Sequence, residues 1–303
     1  MDYVLKTDGL TKQYGKHTVV DHVNMKVKKG DIYGFIGKNG AGKTTFMRMV
    51  AGLAFPVEGS MELFGSKDLE KQRVRIGSLI EQPGIYGNMT ARENMEVMRK
   101  SLGITEKHAV EEILEFVKLS NTGKKKVKNF SMGMKQRLGI ALALFTNPDF
   151  LILDEPINGL DPAGIKEIRD LLLELNQEKQ ITILISSHIL GELSKIATRY
   201  GIIKDGVLME EFEQEELEQR CRRCQKLIVD DVNRASAILE EKCHIFNYDV
   251  PQTGILRVFE GLDSTWNINK ELILGGIKIK ESYLAGQDLE GYFMDLLGGE
   301  KNA

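Results

Sequence analysis

A nine-residue segment near the start of the sequence constrains this chain more than any other feature. Residues 37–45 fit the pattern Gly-x-x-x-x-Gly-Lys-[Ser/Thr] in full and follow the apolar run Ile32–Ile36. Glycines in such a loop let successive backbone N–H groups point at phosphate oxygens. Apolar residues at helical spacing after the loop predict a helix whose N-terminus also faces the phosphate. The residues expected to contact the phosphates of a nucleotide are Gly37, Lys38, Asn39, Gly40, Ala41, Gly42, Lys43, Thr44 and Thr45.

Two residues of this loop have further expected roles. Lys43 adds a positive charge near the β- and γ-phosphates, and the Thr44 hydroxyl can bind Mg²⁺. A dinucleotide-binding loop is excluded, because the pattern Gly-x-Gly-x-x-Gly does not occur among these glycines.

A pair of acids follows a second apolar run, at residues 150–153. Ligands of open parallel sheets bind at the carboxyl ends of the strands, which is where Asp154 and Glu155 stand. Asp154 is placed to hold Mg²⁺ through water, and Glu155 is placed to accept a proton from an attacking water. An isolated Asp-Glu pair is often only a helix cap. The phosphate-binding loop at residues 37–45 (the P-loop) favours the catalytic interpretation here.

Composition and charge argue against several classes of protein. The 303 residues carry a net charge of −3, so no global basic field points to nucleic acid, and no nucleic-acid partner is expected. The lysines at 124–126 and 128 are interpreted as a solvated loop. No apolar stretch approaches the ~18 residues of a membrane span. The N-terminus has no charged-then-apolar signal pattern, so we expect a cytoplasmic location.

The three cysteines, Cys221, Cys224 and Cys243, do not make a disulfide framework, because their number is low and odd. With His244 they could be counted as zinc ligands. Adjacent Cys243 and His244 would strain a tetrahedral site, so zinc is not favoured.

The first two-thirds of the chain alternates apolar strand-like runs with amphipathic helical patterns, which indicates an α/β architecture. Thr90 with Glu93 predicts a capping box, and Asp161 before Pro162 predicts another helix start. Helical patterns dominate residues 85–147 and predict a helical lobe. The expected fold is a P-loop (RecA-like) nucleotide-binding core with a helical subdomain. Its predicted buried strands are Ile32–Ile36, Ile76–Ile80, Phe150–Leu153, Ile181–Ile185 and Tyr200–Ile203.

The composition changes near residue 210, where the charged segment Glu210–Arg223 predicts a helix or linker. The pattern beyond it is β-α-β-β-α-β, with a strand at Ile245–Val250 and a turn at Pro251–Gly254. This order predicts a small C-terminal α+β domain of the ferredoxin-like type. A last helix is predicted at Leu289–Leu297. We therefore expect a nucleotide-binding domain at residues 1–212 and an accessory domain at 213–303.

Shorter motifs accompany the P-loop over the first 210 residues. They are Leu10–Gly15, Ile80–Pro83, Phe130–Arg137, Asp154-Glu155 with Gly159–Pro162, and Ile185–His188. Together they resemble the motifs of the ATP-binding subunit of ABC transporters. Leu10–Gly15 resembles the adenine-stacking loop, Ile80–Pro83 the Q-loop and Phe130–Arg137 the signature. Asp154-Glu155 with Gly159–Pro162 resembles the Walker B motif with the D-loop, and Ile185–His188 resembles the switch-histidine loop.

The resemblance implies a Mg²⁺-dependent ATPase and roles for single residues. Tyr14 would stack on adenine, and Gln82 would contact Mg²⁺ and the attacking water. His188 would hold the γ-phosphate and organise Glu155. The residues implied as catalytic are Glu155, His188, Gln82 and Lys43; those implied at the metal are Thr44, Gln82 and Asp154; and those implied as further nucleotide contacts are Ser131, Gly133 and Asp161.

The resemblance also implies partners. The family places two such subunits head to tail, with each ATP between one P-loop and the signature of the other subunit. We expect a homodimer that drives a separate transmembrane permease and is attached through it to the inner face of the cell membrane. The expected docking surface lies next to Gln82–Met89. Ser131 has a second interpretation, as an ordinary cap of the helix that runs through Leu138–Phe145.

The signature departs from the common Leu-Ser-Gly-Gly-Gln at Met132 and Met134. The Ser-x-Gly-Met form and the C-terminal extension, which closes on Tyr292–Gly299, resemble the bacitracin- and lantibiotic-resistance branch and imply an exporter of peptide antibiotics. One alternative is a soluble ABC-type ATPase that acts on ribosomes or DNA, against which the single cassette argues. The other is a nucleotide-gated regulatory module with little turnover, against which Glu155 argues.

Overall fold

The computed structural model describes residues 2–106, 108–286 and 292–293, and the chain divides into two compact units, Met1–Gln214 and Glu215–Ala303. The strands of the first unit are β1 (Tyr3–Tyr14), β2 (His17–Val23), β3 (Lys26–Lys28), β4 (Ile32–Ile36), β5 (Glu58–Leu63), β6 (Ile76–Leu79), β7 (Phe150–Leu153), β8 (Thr182–Ser187), β9 (Arg199–Lys204) and β10 (Val207–Glu213). Its helices are α1 (Lys43–Ala51), α2 (Leu69–Arg73), α3 (Ala91–Ser101), α4 (Ala109–Phe116), α5 (Met132–Ala143), α6 (Pro162–Gln177) and α7 (Leu190–Leu193).

A six-stranded sheet with the order β10-β9-β4-β8-β7-β6 forms the centre of the first unit. Its strands pair in parallel from β9 to β6, and β10 pairs with β9 in the antiparallel sense. Every residue of β4, β7 and β8 is buried, as is usual for parallel strands that are covered on both faces. Because these strands end at one edge of the sheet, the P-loop, the Asp-Glu pair and the end of β8 meet there. The predicted α/β core is confirmed.

A second sheet is antiparallel and has β1 at its centre, paired with β2, β3 and β5. Leu5 and Val20 of this sheet share one hydrophobic core with Phe35 of β4 and Phe46 of α1. The sequence did not predict these strands, because polar residues and shifts of register interrupt the alternation along β1. The shared core joins β1 to the same framework as α1, the helix that follows the P-loop.

The helical lobe consists of α3, α4 and α5 and lies in the chain between β6 and β7. Thr90 begins α3 with a full capping box, in which its Oγ1 accepts from the Glu93 N–H at 3.1 Å and Glu93 Oε2 accepts from the Thr90 N–H at 2.6 Å. Asp161 caps α6, and Pro162 is its first residue. Both predicted helix starts are confirmed.

The segment after β9 differs from its prediction. Glu210–Glu213 belongs to β10, and only then does α8 (Gln214–Cys221) begin. The many charges of this segment suggested a helix or linker throughout, yet a strand at the edge of a sheet can carry charged side chains on its open side.

The second unit contains β11 (Cys224–Val229), α9 (Val232–Cys243), β12 (Tyr248–Gln252), β13 (Ile255–Val258), α10 (Thr265–Leu274) and β14 (Ile279–Ala285). Its antiparallel sheet has the order β12-β13-β11-β14, and Leu227, Leu239, Leu256 and Leu272 lie in its core. This is the element order on which the ferredoxin-like prediction rests, and the class itself stays a prediction.

One strand of the second unit differs in its bounds from the prediction, and one predicted helix lies almost wholly outside the described residues. The strand predicted at Ile245–Val250 begins at Tyr248 and runs through Pro251, where a turn was expected. Proline is tolerated there because β12 is an edge strand. The helix predicted at Leu289–Leu297 lies outside the described residues, except for residues 292 and 293.

Candidate functional site

The P-loop has a backbone that only glycine allows at two of its positions. Gly42 has φ 106°, and a Cβ atom there would lie 2.5 Å from the carbonyl oxygen of Val19. A Cβ atom at Gly37 would lie 2.5 Å from the carbonyl oxygen of Ile203. The loop therefore runs close to neighbouring backbone and leads directly into α1, whose first-turn N–H groups point into the loop.

The ammonium group of Lys43 is folded back over this loop. Its Nζ donates to the carbonyl oxygens of Gly37 at 2.6 Å and Lys38 at 3.3 Å, and it lies 3.4 Å from Glu155 Oε1. The side chain is only 5% exposed. A buried positive charge with these partners can be offered to an anion that enters the loop.

Asp154 follows β7 and is held by two hydroxyl groups. Thr44 Oγ1 donates to Asp154 Oδ2 at 2.7 Å, and Ser186 Oγ donates to Asp154 Oδ1 at 2.6 Å. Two of the three side chains expected at the metal, Thr44 and Asp154, thus lie in direct contact. Carboxylate and hydroxyl oxygens are ligands of the kind that Mg²⁺ prefers.

Glu155 occupies a left-handed backbone conformation with φ 49°, which is uncommon outside glycine. Its N–H donates to Ser186 Oγ at 2.8 Å, and its Oε2 lies 2.7 Å from His188 Nδ1. An ionised carboxylate only accepts, so with Glu155 in that form His188 would donate this hydrogen bond through Nδ1. Glu155 Oε1 is buried and makes no hydrogen bond within the described part of the chain; the ion pair with Lys43 is its close contact.

Two cavities open around these groups. One, of about 180 Å³, is lined by Val19, Asn39, Gly40, Gly42, Lys43, Thr44, Thr45 and Glu155. The other is a cleft of about 800 Å³ whose lining includes Gln82, Asp154 and Glu155. The structure thus places Gln82, which is exposed, on the same cleft as the two acids.

Tyr14 lies at the end of β1 with half of its side chain exposed, and Lys12 Nζ is 5.1 Å from the centre of its ring. The phenol ring is therefore open to a planar partner.

Ser131 of the signature and Asp161 of the D-loop make helix-capping hydrogen bonds. Ser131 Oγ accepts from the Met134 N–H at 3.2 Å, and Asp161 Oδ1 accepts from the Gly164 N–H at 3.2 Å. Within the described residues both side chains cap their own helices and do not hydrogen-bond to the P-loop. Gly133 lies in the first turn of α5 beside Ser131. The single chain thus supplies the cap that the sequence predicted for Ser131.

One residue of the site was missed by the sequence analysis. Ser186 is completely buried and contacts both acids, but the motifs mark it only as part of the loop that leads to His188. The available signal was a polar side chain near the end of an otherwise apolar strand.

Two structural features are absent from the described residues. No helix there combines the length and the apolar character that crossing a membrane requires. Nor does that part of the chain gather three or more His, Cys, Asp or Glu side chains in a metal-binding group.

Comparisons with known proteins identify the family to which this sequence is similar. The family described as ABC transporter matches residues 20–158. The chain is 47% identical over 302 residues to the bacitracin transport ATP-binding protein BcrA of Bacillus licheniformis, with 99% of each chain covered. It is 45% identical over 210 residues to the lantibiotic transport ATP-binding protein SrtF of Streptococcus pyogenes, with 69% of this chain and 91% of the relative covered.

A solved structure shares the fold. It is a dimeric ATP-binding cassette in a post-hydrolysis state, bound to ADP and Pi, with a TM-score of 0.62, 26% identity, and coverage of 69% of this chain and 98% of that chain. Identity near one half along the full length of a relative is decisive: this chain belongs to the ABC transporter family, as an ATP-binding subunit that hydrolyses ATP.

Proposed function

We propose that Glu155 is the general base of this ATPase and that His188 holds it in place. The observation that carries the proposal is the position of the Glu155 carboxylate, 2.7 Å from His188 Nδ1 and 3.4 Å from Lys43 Nζ, at the edge where phosphate would bind. A carboxylate there can take the proton of a water that attacks the γ-phosphate in line. Lys43 neutralises the developing charge, and Gln82, which lines the same cleft, orients the water.

The nucleotide contacts follow from the same arrangement. Residues 37–45 surround the phosphates, and Tyr14 stacks on adenine. The residues present fit Mg²⁺, since Thr44 and Asp154 bring two hard oxygen donors together beside the P-loop. Thr44, Asp154 and Gln82 would hold the ion, and the ion would supply charge neutralisation at the phosphate oxygens.

The partner at the nucleotide is a second copy of this chain. Ser131 and Asp161 are exposed, and they cap helices whose N-termini lie at the surface. A helix N-terminus is a favourable site for an anion. Ser131, Gly133 and Asp161 would therefore complete the nucleotide site of the opposite subunit. The dimeric cassette of the same fold supports this arrangement.

The second partner is a separate transmembrane permease, which would hold the chain at the inner face of the cell membrane. The docking surface is the groove between the core and the helical lobe, next to the loop Gln82–Met89. Tyr86 is 57% exposed, and its N–H donates to Asn94 Oδ1 of α3 at 2.7 Å, so the loop is tied to the lobe. A helix of the permease that contacts Ile85 and Tyr86 would follow each closure of the cleft.

The exported substrate is a peptide antibiotic of the bacitracin or lantibiotic type. Similarity to a bacitracin transport ATP-binding protein over 99% of both chains supports this class, and it favours a transporter over a soluble ATPase. No nucleic-acid partner is proposed. We place the ATP-binding domain at residues 1–212 and the accessory domain at 213–303.

The central test is Glu155→Gln, which keeps the size of the side chain and removes the base. The variant should bind ATP, lose turnover and accumulate as an ATP-bound dimer in size-exclusion chromatography. Glu62→Gln, on β5 and likewise partly buried, should behave as the wild-type protein. A monomeric Glu155 variant that still hydrolyses ATP contradicts both the base and the dimer.

The substrate has its own test. Cells that express the chain with the membrane protein encoded beside it should tolerate more bacitracin or lantibiotic, and Lys43→Ala should abolish this protection. Equal sensitivity of cells with and without the pair, despite ATPase activity, would rule out this substrate class only.

A further inference from the structure

The hydroxyl group of Ser186 contacts both acids of the site at once. It donates to Asp154 Oδ1 at 2.6 Å and accepts from the Glu155 N–H at 2.8 Å. Ser186 belongs to β8, the strand between β4 and β7, and it is completely buried. One side chain on the middle strand therefore ties together two consecutive residues that follow the neighbouring strand.

The first consequence concerns the carboxylate of Asp154. Its Oδ2 accepts from Thr44 and its Oδ1 accepts from Ser186, so the plane of the group is fixed from both sides. Without Ser186 a buried oxygen would lose its donor, and the carboxylate could turn away from Thr44. Hydrogen bonds of this kind to a metal ligand set its orientation and its affinity for the ion.

The second consequence concerns the backbone of Glu155. A non-glycine residue at φ 49° stays there only where its surroundings hold it. The hydrogen bond from the Glu155 N–H to Ser186 fixes the backbone that directs the carboxylate to His188 and Lys43.

We propose that Ser186 is a positioning residue for ATP hydrolysis, which orients the metal ligand Asp154 and the base Glu155 through one hydroxyl group. The inference rests on the roles proposed above for these two acids. Ser186 would act only through these two neighbours, because its hydroxyl group is buried against them.

The adjacent Ser187 provides a matched control. It is also completely buried, but its Oγ accepts from the Ile189 N–H at 2.9 Å and thus closes a local turn. Replacement of either serine by alanine removes one buried hydroxyl from the end of β8. Only replacement of Ser186 removes contacts with the acids.

The experiment compares Ser186→Ala, Ser186→Cys, Ser186→Thr and Ser187→Ala. Cysteine keeps the volume but is a weak donor and acceptor, and threonine keeps the hydroxyl. Three quantities are measured: melting without nucleotide, affinity for a fluorescent ATP analogue in EDTA and over a Mg²⁺ titration, and kcat with KM.

The Ala and Cys variants should bind the analogue in EDTA as the wild-type protein does. The Mg²⁺ concentration at half-maximal enhancement of binding should rise about tenfold, and kcat should fall about 10-fold to 100-fold. The Thr variant should keep the wild-type Mg²⁺ dependence. Ser187→Ala should lower the melting temperature without moving the Mg²⁺ midpoint.

The inference is overturned if folded Ser186→Ala or Ser186→Cys has the Mg²⁺ midpoint and the kcat of the wild-type protein. It is also overturned if Ser187→Ala shifts the Mg²⁺ midpoint as much as the Ser186 variants do. Asp154→Asn and Glu155→Gln are measured in parallel. If these two variants are as active as wild type, the proposed function fails. If they are impaired and the Ser186 variants are not, only the role of Ser186 fails.

Discussion

Replacement of Ser131 distinguishes a helix cap from a contact with the nucleotide of a second subunit. The Ser131 Oγ accepts from the Met134 N–H at 3.2 Å and caps α5, while the residue is exposed. Loss of such a cap to alanine costs about 1 kcal/mol, whereas glycine costs only a few tenths. For a unit of this size, about 1 kcal/mol lowers the melting temperature by roughly 2–4 °C. Ser131→Ala should show this decrease without nucleotide, and Ser131→Gly should show much less.

The proposed contact with nucleotide predicts a different ranking of Ser131→Ala and Ser131→Gly, now by their rates of ATP hydrolysis. A hydrogen bond to a charged group contributes about 1.5–3 kcal/mol, which corresponds to roughly 10-fold to 150-fold in association or turnover. Alanine and glycine both lack the hydroxyl. ATP hydrolysis should therefore fall by the same factor in the two variants, although their stabilities differ.

The assay combines thermal melting without nucleotide, ATPase rates, and ATP-driven dimerisation in the Glu155→Gln background. Thr90→Ala is the control, because Thr90 caps α3 of the same lobe through the Glu93 N–H at 3.1 Å. It should lower the melting temperature and leave hydrolysis intact. Full ATPase activity in both Ser131 variants, with a lower melting temperature for alanine alone, would show that Ser131 is only a cap.

Three further predictions concern other parts of the site. Lys43→Ala should fold, as judged by melting, and lose ATP hydrolysis, because the phosphate loses its counter-ion; hydrolysis at the wild-type rate by the purified variant excludes the P-loop assignment. Gly42→Ala should abolish ATP binding, because its Cβ would meet the Val19 carbonyl oxygen at 2.5 Å. Gly40→Ala should weaken binding less, because Gly40 has φ 83° but open space around the Cβ position. Equal ATP titration curves for the two variants refute the steric argument. Tyr86→Asp should reduce co-sedimentation with membranes that contain the permease and largely spare ATP binding; unchanged sedimentation moves the docking surface elsewhere.

The sequence predicted those parts of the site whose chemistry lies within a few consecutive residues. The P-loop and the Asp154-Glu155 pair each combine an apolar strand with polar groups at its end, and the structure brings them into contact. The contact between Glu155 and His188 spans 33 positions and depends on β8 lying beside β7. A single sequence does not contain the order of strands, so this contact was expected only from the family resemblance.

Ser186 shows why the remaining part of the site was not predicted. A serine in a buried strand is usually satisfied by any nearby backbone group, and its partners depend on which strands lie on either side. The antiparallel sheet around β1 was missed for a related reason. Bulges and polar residues hide its period-two pattern, and the burial that stabilises its strands comes from α1 and β4, which are distant in the sequence.

The contacts of Lys43 make nucleotide binding an exchange reaction. The ammonium group is surrounded by two carbonyl oxygens and the Glu155 carboxylate. Phosphate oxygens of a nucleotide would compete with these internal ligands for Lys43, so the affinity would follow the difference between two sets of contacts. Such a competition depends less on ionic strength than attraction to an exposed cation does. The same competition would free the Glu155 carboxylate from Lys43, so the substrate itself would release the group that is proposed to act on its water.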